Sequence, residues 1–356
     1  MSADPTSPLP ASPGHDGRLA ALRTWLAPHA APHGLDLDSL APASSDASFR
    51  RYFRVQAGAG RPSLIVMDAP PPHEDSRPFV AVAARFAAAG LNVPAVLEQD
   101  LEQGFLLLSD LGNTTYLTVL DPRDAAGANP LYGAASDALV RLQAASRPDG
   151  LPDYDRALLL RELELFPTWY IEKHHGHAIT AAERADLDRV FETLLANNLG
   201  QPQVDVHRDY HSRNLMVAAD PARNPGVLDF QDAVRGPITY DLVSLLRDAY
   251  IQWEEEQVLD WAVRHWDKAR RAGLPVAADF ADFWRDFEWM GLQRHIKVLG
   301  IFARLWHRDG KSNYLKDLPL VLHYTRRAAE RYGVFKPLLR LFDKLEAKAP
   351  QVGYTF

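Results

Sequence analysis

Residues 206–216 read VHRDYHSRNLM, and residues 227–232 read VLDFQD. Each stretch opens with apolar residues typical of a short buried strand and continues into a polar turn. Asn214 follows Asp209 by five positions, and Asp229 follows Asn214 by fifteen. Two interpretations are open: polar loops beside two strands, or a site that takes a proton, holds a metal ion and moves a phosphoryl group.

The residue types in these stretches suit phosphoryl transfer. Asn214 and Asp229 offer hard oxygen ligands, which suit Mg²⁺, an ion that keeps much of its shell for water and substrate phosphates. Asp209 is then free to orient a hydroxyl group and accept its proton. His207 either takes part in this chemistry or, in its commoner role, braces the loop through a hydrogen bond. The order H-x-D-x-x-x-x-N and then D-F is that of the catalytic and metal loops of kinases, so the sequence favours the second interpretation.

Composition narrows the class of protein. The chain has 356 residues, 47% hydrophobic and 24% charged, which gives room for two lobes with separate cores. Its formal net charge of −7 provides no global basic field for nucleic acid or anionic lipid. The chain has no cysteine, which excludes disulfides and fits a reducing compartment. Residues 1–16 lack a secretory signal pattern, and no apolar run approaches the ~18 residues of a membrane span. We therefore predict a cytoplasmic protein that is a monomer, with a disordered tail over residues 1–16 and no nucleic-acid or membrane partner.

The hydrophobic pattern predicts an α+β fold in two lobes. A small strand-rich N-terminal lobe is expected over residues 17–110, and a larger helical C-terminal lobe over residues 111–356. The elements predicted for the first lobe are a helix over 17–30, strands over 49–55 and 63–68, a helix over 79–90, and strands over 93–100 and 104–112.

Both central stretches resemble the aminoglycoside phosphotransferase family, the small-molecule branch of the protein-kinase fold. The residues that carry this resemblance are HRDYHSRNLM and VLDFQDAVRGPITYDLVSLLRDAY. Within the family the chain is most similar to the anomeric amino-sugar kinases. The supporting stretches are SSDASFRRYFRV (44–55), MDAPP (67–71), LLLSDLG (106–112), ELELFPTWY (162–170) and LQRHIKVLGIFARLWHRDGKSNYL (292–315).

The resemblance implies a two-lobed protein-kinase-like fold that uses ATP and Mg²⁺. It also implies the reaction, phosphorylation of the C1 hydroxyl of N-acetylmuramate and N-acetylglucosamine. In Gram-negative bacteria that reaction serves salvage of cell-wall sugars, which is peptidoglycan recycling. The expected partner is therefore a small-molecule amino sugar.

The expected nucleotide site departs from the kinase pattern. A protein kinase covers its nucleotide with a glycine-rich loop and pairs the phosphates with a strand lysine. Here Ser44, Ser45 and Ser48 hold the loop position without a glycine, Met67 stands where the lysine would be, and residues 1–110 contain no lysine. The serine hydroxyls and the backbone N–H groups between them are candidate phosphate ligands.

Arginines are the other candidates for the missing charge. Arg50, Arg51 and Arg54 follow the serine loop, and a guanidinium binds phosphate bidentately. The alternative is an exposed strand face with solvated arginines. In the family, the segment that contains Leu108 connects the lobes and hydrogen-bonds adenine through its backbone.

An acceptor pocket is expected in the helical lobe. Glu162 and Trp169 are candidate sugar ligands, although an aromatic residue in a helical lobe more often belongs to the core. Arg294 and Arg304 lie in a basic stretch that can pair with a substrate carboxylate or form the solvated face of a helix. The whole stretch comprises Arg294, His295, Lys297, Arg304, Arg308 and Lys311.

Two further aspartates are candidates for supporting roles. Asp241 opens an apolar helix, where it is expected to be the N-cap; in the kinase fold the corresponding residue also supports the catalytic-loop backbone. Asp232 either assists at the metal or shapes the turn. Two alternative functions remain open at this point: a kinase for another acceptor, such as an aminoglycoside, choline or other amino alcohol, and a nucleotide-binding pseudokinase.

Overall fold

The computed structural model describes residues 13–45, 49–58 and 60–347. They form two compact units. The smaller contains the described residues up to Ala87 together with Val93–Leu111, and the larger contains Ala88–Asn92 and the described residues from Gly112 onwards. Residues 1–12 of the predicted tail lie outside the described residues, and a helix begins at Pro13.

The smaller unit is a five-stranded antiparallel sheet with two helices. The strand order in the sheet is β1-β2-β3-β5-β4. The elements are α1 Pro13–His33, β1 Leu35–Ser45, β2 Arg51–Ala57, β3 Leu64–Asp68, α2 Arg77–Ala88, β4 Val96–Asp100 and β5 Phe105–Ser109.

The core of this unit lies between α1 and one face of the sheet. Side chains alternate across a strand, so Phe53 and Val55 of β2 share that face with Leu64 and Val66 of β3. Leu22 and Leu26 of α1 pack on them, as the helical stripe predicted over residues 17–30 indicates. The periodicity in the sequence therefore locates this core correctly.

The hairpin between β4 and β5 needs a glycine at its turn. Gly104 has φ +75°, and a Cβ atom there would lie 1.9 Å from the carbonyl oxygen of Ala69. The backbone N–H of Ala69 donates to the Gly104 carbonyl at 2.8 Å. The close backbone approach ties this turn to the end of β3 and excludes any side chain at position 104.

The larger unit is mainly helical. Its α-helices are α3 Tyr116–Val119, α4 Ala125–Ala144, α5 Arg156–Leu163, α6 Ala181–Gly200, α7 Tyr240–Leu246, α8 Glu255–Arg271, α9 Phe280–His307, α10 Leu318–Arg331 and α11 Lys336–Ala347. It also contains a π-helix, Phe166–His174, and 3₁₀ turns at Pro221–Arg223, Ser312–Asp317 and Gly333–Phe335. Within the described part of the chain, no helix combines the length and apolar character that a bilayer crossing requires.

Two short ladders interrupt the helices and bring the two polar loops together. β6 Gln203–Val206 pairs with β9 Val234–Pro237, and β7 Leu215–Met216 pairs with β8 Gly226–Val227, both antiparallel. The segment from residue 207 to 214, which we call the HRD loop, runs from β6 to β7. The segment from residue 228 to 233, which we call the DFQ loop, runs from β8 to β9. Because the same two ladders close both loops, residues fifteen positions apart in sequence become neighbours.

Helix α9 is the longest helix of the larger unit and packs closely on the segment before the π-helix. A Cβ atom at Gly300 would lie 2.5 Å from the carbonyl carbon of Leu165. Glycine at this position therefore permits close contact between α9 and the chain at Leu165. Arg294 and Lys297, considered below, lie within two turns before Gly300 on the same helix.

Candidate active site

The HRD loop is held at both ends by buried carboxylates. Asp241 of α7 accepts backbone hydrogen bonds from His207 at 2.6 Å and from Arg208 at 3.0 Å. Asp248 accepts the backbone N–H of Ser212 at 2.9 Å and also its hydroxyl. Both aspartates are fully buried. The loop backbone is therefore fixed by charge-assisted hydrogen bonds at its start and near its end.

Asp241 differs in one respect from the prediction. The residue at the helix N-cap is Thr239, and Asp241 lies in the first turn of α7, so the predicted capping position is wrong by two residues. Its carboxylate serves the HRD loop, as the resemblance implies. Burial raises the pKa of Asp241 to about 7, although the two backbone donors act in the opposite direction.

His207 braces the two loops against each other. Its Nε2 lies 2.9 Å from the carbonyl oxygen of Leu228 in the DFQ loop, and its Nδ1 accepts the backbone N–H of Asp209 at 3.2 Å. These partners define the tautomer with the proton on Nε2. Burial lowers the pKa of His207 to about 4, so the ring is uncharged at neutral pH. The geometry fits the bracing role that the sequence left open beside direct chemistry.

The Asp209 carboxylate is the group of the HRD loop that is best placed to accept a proton. No described residue hydrogen-bonds to this carboxylate, whereas the backbone carbonyl of Asp209 accepts from the Asn214 side chain at 3.0 Å. Burial raises the pKa of Asp209, but the positive charges of Lys297, Arg294 and Arg208 outweigh that effect and lower it overall. The carboxylate is therefore ionised and available to accept a proton.

Asn214 and Asp229 lie side by side. The Asn214 Nδ2 atom donates to the Asp229 carboxylate at 3.2 Å, and the other Asp229 oxygen accepts from Gln231 at 2.8 Å. Asp229 has φ +62° and Arg208 has φ +78°, so each loop carries one non-glycine residue in the left-handed region. Such backbone strain persists only where surrounding structure enforces it, and it concentrates at functional sites.

The donor set at these two residues fits a magnesium ion. In the described residues no cluster of three or more His, Asp or Glu side chains has the geometry of a metal site. One carboxylate and one amide oxygen suffice for Mg²⁺ that takes its other ligands from water and substrate phosphates. Asn214 orients its amide N–H₂ toward Asp209 and Asp229, which leaves the amide oxygen without a described protein partner.

A buried ion network lies beside Asp209 and involves Glu162 in a way that the sequence did not indicate. One Glu162 oxygen pairs with Arg208 and with Lys297, whose Nζ lies 3.0 Å away, and the other accepts the hydroxyl of Tyr154. Lys297 also donates to the Tyr240 hydroxyl at 3.1 Å. With both oxygens engaged, Glu162 supports Arg208 and Lys297, and its role as a direct sugar ligand stays a prediction.

The remaining candidate residues of the larger unit lie in different environments. Trp169 is half-buried on the π-helix, and no described residue stacks on or hydrogen-bonds to its indole. Arg304 is half-buried on α9, with a shielded Nε that has no hydrogen-bond partner. Arg294 is buried on the same helix. Asp232 is exposed, and its carbonyl oxygen accepts from Arg208 at 3.3 Å, which fits the turn-shaping alternative.

In the smaller unit, all three candidate arginines are ion-paired. Arg50 pairs with Glu74 at 3.0 Å, Arg51 pairs with the fully buried Asp68, and Arg54 holds both oxygens of Asp110. The alternative of solvated arginines on an exposed face is therefore wrong, because each guanidinium has a carboxylate partner.

Arg51 also lies on the wrong face of the sheet for a phosphate ligand at the lysine position. It is two residues from Phe53 and shares with it the face that α1 covers, where Asp68 also accepts from Arg18 of α1. Met67 points to the opposite face, because neighbouring residues of a strand alternate. This position does not favour a phosphate-binding role for Arg51, and that role stays a prediction. Arg54 shares the face of Met67.

Replacement of Arg51 by alanine should therefore reduce stability and leave nucleotide affinity nearly unchanged. It removes one of the two cations on the buried Asp68, and we expect the free energy of unfolding to fall by about 1–3 kcal/mol. Arg77→Ala is the matched control, because it breaks an ion pair with Asp75 in which both side chains are exposed, and such pairs contribute little to stability. Urea denaturation and ATP titration of both variants check this. A tenfold loss of ATP affinity without a loss of stability would restore Arg51 as a phosphate ligand.

The other nucleotide candidates are only partly described. Ser44 and Ser45 end β1, paired with Tyr52 and Arg51, and their side chains lie outside the described residues, as does all of Ser48. Leu108 is buried on β5, next to the segment predicted to contact adenine.

Sequence reasoning missed two residues that matter in the larger unit. Lys297 was part of the basic stretch, but its burial against Glu162 depends on tertiary structure. Asp248 directly follows the largely apolar run LVSLLR. A charged residue beside such a run is a signal in the sequence for a buried, hydrogen-bonded carboxylate.

Comparisons with known proteins agree with this geometry. The family model described as the phosphotransferase enzyme family, APH, matches residues 39–280. The N-acetylmuramate/N-acetylglucosamine kinase of Pseudomonas aeruginosa is 51% identical over 312 residues, which are 88% of this chain and 89% of that protein. The protein of the same name from Neisseria meningitidis is 47% identical over 95% of this chain and 99% of its own length.

Solved structures show the same fold at low sequence identity. A choline/ethanolamine kinase family protein from Mesorhizobium loti is 15% identical with a TM-score of 0.58, covering 91% of this chain and 98% of its own. The choline kinase LicA from Streptococcus pneumoniae is 11% identical with a TM-score of 0.57, covering 86% and 99%. The predicted two-lobed α+β fold of the protein-kinase type is confirmed.

Proposed function

Because the chain belongs to the phosphotransferase enzyme family, we propose that it is an ATP-dependent kinase that phosphorylates N-acetylmuramate and N-acetylglucosamine at the C1 hydroxyl. The relatives carry the name of an N-acetylmuramate/N-acetylglucosamine kinase over nearly their whole length, which supports the substrate class. One observation of this chain carries the chemistry. The ionised Asp209 carboxylate lies on the HRD loop, and the same two ladders close this loop and the DFQ loop, which carries Asp229.

In the proposed reaction the acceptor oxygen attacks the γ-phosphorus of ATP in line. A new P–O bond forms to the sugar, the bond to the β-phosphate oxygen breaks, and the sugar O–H proton passes to the Asp209 carboxylate. Mg²⁺ bound with ATP would neutralise the phosphate charge. Asn214 and Asp229 are the residues that would hold this ion. An anomeric hydroxyl is more acidic than an ordinary alcohol, so a carboxylate of ordinary basicity is adequate.

The remaining residues of the site orient these groups. His207 fixes the distance between the HRD and DFQ loops, and Asp241 fixes the backbone of the HRD loop. Because the chain makes these contacts with its own residues, they support a preorganised site, in which the cost of ordering the loops does not fall on the reaction step. This arrangement also argues against a pseudokinase, which needs neither an available carboxylate nor the paired loops.

The site of phosphorylation can be tested on the sugar rather than on the protein. We expect N-acetylglucosamine to be turned over with ATP and Mg²⁺ and its 1-O-methyl glycoside to be inert, because the glycoside has no C1 hydroxyl. Phosphorus NMR of the product and loss of the reducing end check this result. Equal turnover of both sugars would move the reaction to another hydroxyl, and turnover of choline or an aminoglycoside in preference to both sugars would replace the acceptor class.

We also propose that the reaction belongs to peptidoglycan recycling and takes place in the cytoplasm, where ATP is supplied. The composition fits this location, since the chain has no cysteine. A monomer is the oligomeric state we propose, and sedimentation of the purified protein measures it.

A further inference from the structure

Two buried polar side chains near Asp209 each carry a nitrogen atom that has no hydrogen-bond partner among the described residues. The Arg294 side chain on α9 is only 3% exposed, its Nη1 is shielded, and no described residue forms a hydrogen bond or ion pair with it. His211 of the HRD loop is buried, and its Nδ1 likewise has no hydrogen-bond partner. A buried guanidinium without a counter-ion is unfavourable, so such a group is expected where an anion takes the partner's place.

Arg294 differs in this respect from Lys297, its neighbour on the helix. Lys297, one turn further along α9, is also buried but has Glu162 and Tyr240 as partners. Among the described residues, Lys297 therefore has a direct ion-pair partner and Arg294 has none. The charge of Arg294 reaches the reactive loop, since it acts to lower the pKa of Asp209 and that of His211, both of which are lowered overall.

A series of aromatic rings leads from the HRD loop through Tyr250 to α9 and the 3₁₀ turn that follows it. The rings of His211 and Tyr250 are 5.3 Å apart, those of Tyr250 and Phe302 are 6.2 Å apart, and those of Phe302 and Tyr314 are 5.2 Å apart. The Arg213 guanidinium lies 4.6 Å above the ring of Tyr250. Aromatic surface with a few convergent polar groups is the composition of a site for a small organic ligand.

We propose that Arg294 and His211 form the acceptor subsite beside this aromatic surface, and that Arg294 binds a carboxylate of the sugar. This inference rests on the proposed function and deepens it. N-acetylmuramate differs from N-acetylglucosamine by a lactyl ether that ends in a carboxylate. Arg294 is then the residue that distinguishes the two acceptors, since a guanidinium pairs with a carboxylate bidentately. His211 donates or accepts one hydrogen bond to a neutral oxygen of either sugar.

The inference predicts a change in substrate preference rather than a general loss. In Arg294→Met, kcat/KM for N-acetylmuramate should fall about 30- to 100-fold more than kcat/KM for N-acetylglucosamine, as expected when one partner of a charge pair is removed. Both sugars are measured on the same preparation, so a reduced fraction of folded protein cancels in the ratio. Arg294→Lys should retain part of the preference.

Lys297→Met is the matched control. It removes a buried cation from the same helix, but one that Glu162 already neutralises, so both acceptors should lose activity by the same factor. An unchanged acceptor ratio in Arg294→Met would overturn the inference, because it is the result expected if Arg294 serves the transferred phosphoryl group.

A second measurement needs no variant and covers the case in which Arg294→Met does not fold. The methyl ester of N-acetylmuramate keeps the lactyl group without its charge, and the natural protein should use it about 30- to 100-fold less efficiently than the free acid. Equal use of acid and ester would overturn the inference. If the natural protein phosphorylates neither N-acetylglucosamine nor N-acetylmuramate, the proposed function itself fails and this inference fails with it.

Discussion

Replacement of Asp229 by asparagine should lower kcat at least about 10³-fold while the protein stays folded. The change removes an anionic oxygen from the position that would hold Mg²⁺, and a metal ion contributes several kcal/mol of charge stabilisation in the transition state. Asparagine is the suitable replacement because Asp229 has φ +62°, a conformation that asparagine also tolerates. Initial rates across a range of Mg²⁺ concentrations, together with thermal unfolding, measure the effect.

Asp232→Asn is the control for that experiment. Asp232 lies three residues further along the DFQ loop, also carries a carboxylate, and is exposed. Its variant should keep kcat within a few-fold of the natural value. If Asp229→Asn shows near-natural turnover even at limiting Mg²⁺, Asp229 is not the metal ligand, and Asn214 loses its proposed role as well.

Asp209→Asn should lower kcat by about 10²- to 10⁴-fold, the usual effect of removing a positioned acid–base group. An amide of the same shape cannot take the proton of the acceptor hydroxyl. No described residue hydrogen-bonds to this carboxylate, so its loss leaves no protein donor unpaired and the fold should be unaffected. The KM for ATP should change little.

Steady-state kinetics with each substrate varied in turn separates the possible outcomes of the Asp209 experiment. A fall in kcat with unchanged KM for ATP places Asp209 on the acceptor. A preserved kcat with a raised KM for ATP would show that Asp209 belongs to the nucleotide side, and the proposed proton transfer would then be wrong.

The sequence was sufficient to locate the two polar loops because their signals are local. His207, Asp209 and Asn214 lie within eight consecutive residues, and short apolar strands flank them. The strands that border these loops supply their own pairing partners, so no distant residue is needed to infer that the loops meet.

Strand β1 was missed because its pattern is irregular. It is an edge strand of the sheet, and its pairing with β2 has breaks between Asp36 and Ala41 and between Pro42 and Ser44. Each such bulge shifts the alternation of side chains by one position, which removes the period of two on which strand prediction relies. Residues 44–48 were consequently assigned to a loop, although the strand continues to Ser45.

Partners of charged side chains were the least predictable part of the site. Arg51 and Arg54 find their carboxylates 17 and 56 residues away, and Arg208 finds Glu162 46 residues away. A run of arginines in a sequence looks the same whether each is paired or available for a ligand. Only the tertiary structure separates Lys297, which is paired, from Arg294, which is not.

The two ladders that close the HRD and DFQ loops also determine where residues can be inserted between β6 and β9. Val206 and Leu215 are both fixed in register, against Val234 and Val227, so neither loop can change length without breaking a ladder. The hairpin connection between β7 and β8, residues 217–225, contains none of the proposed catalytic or metal residues, and its middle is exposed. That connection is therefore the place to insert a reporter peptide or a purification tag close to the active site without altering its spacing.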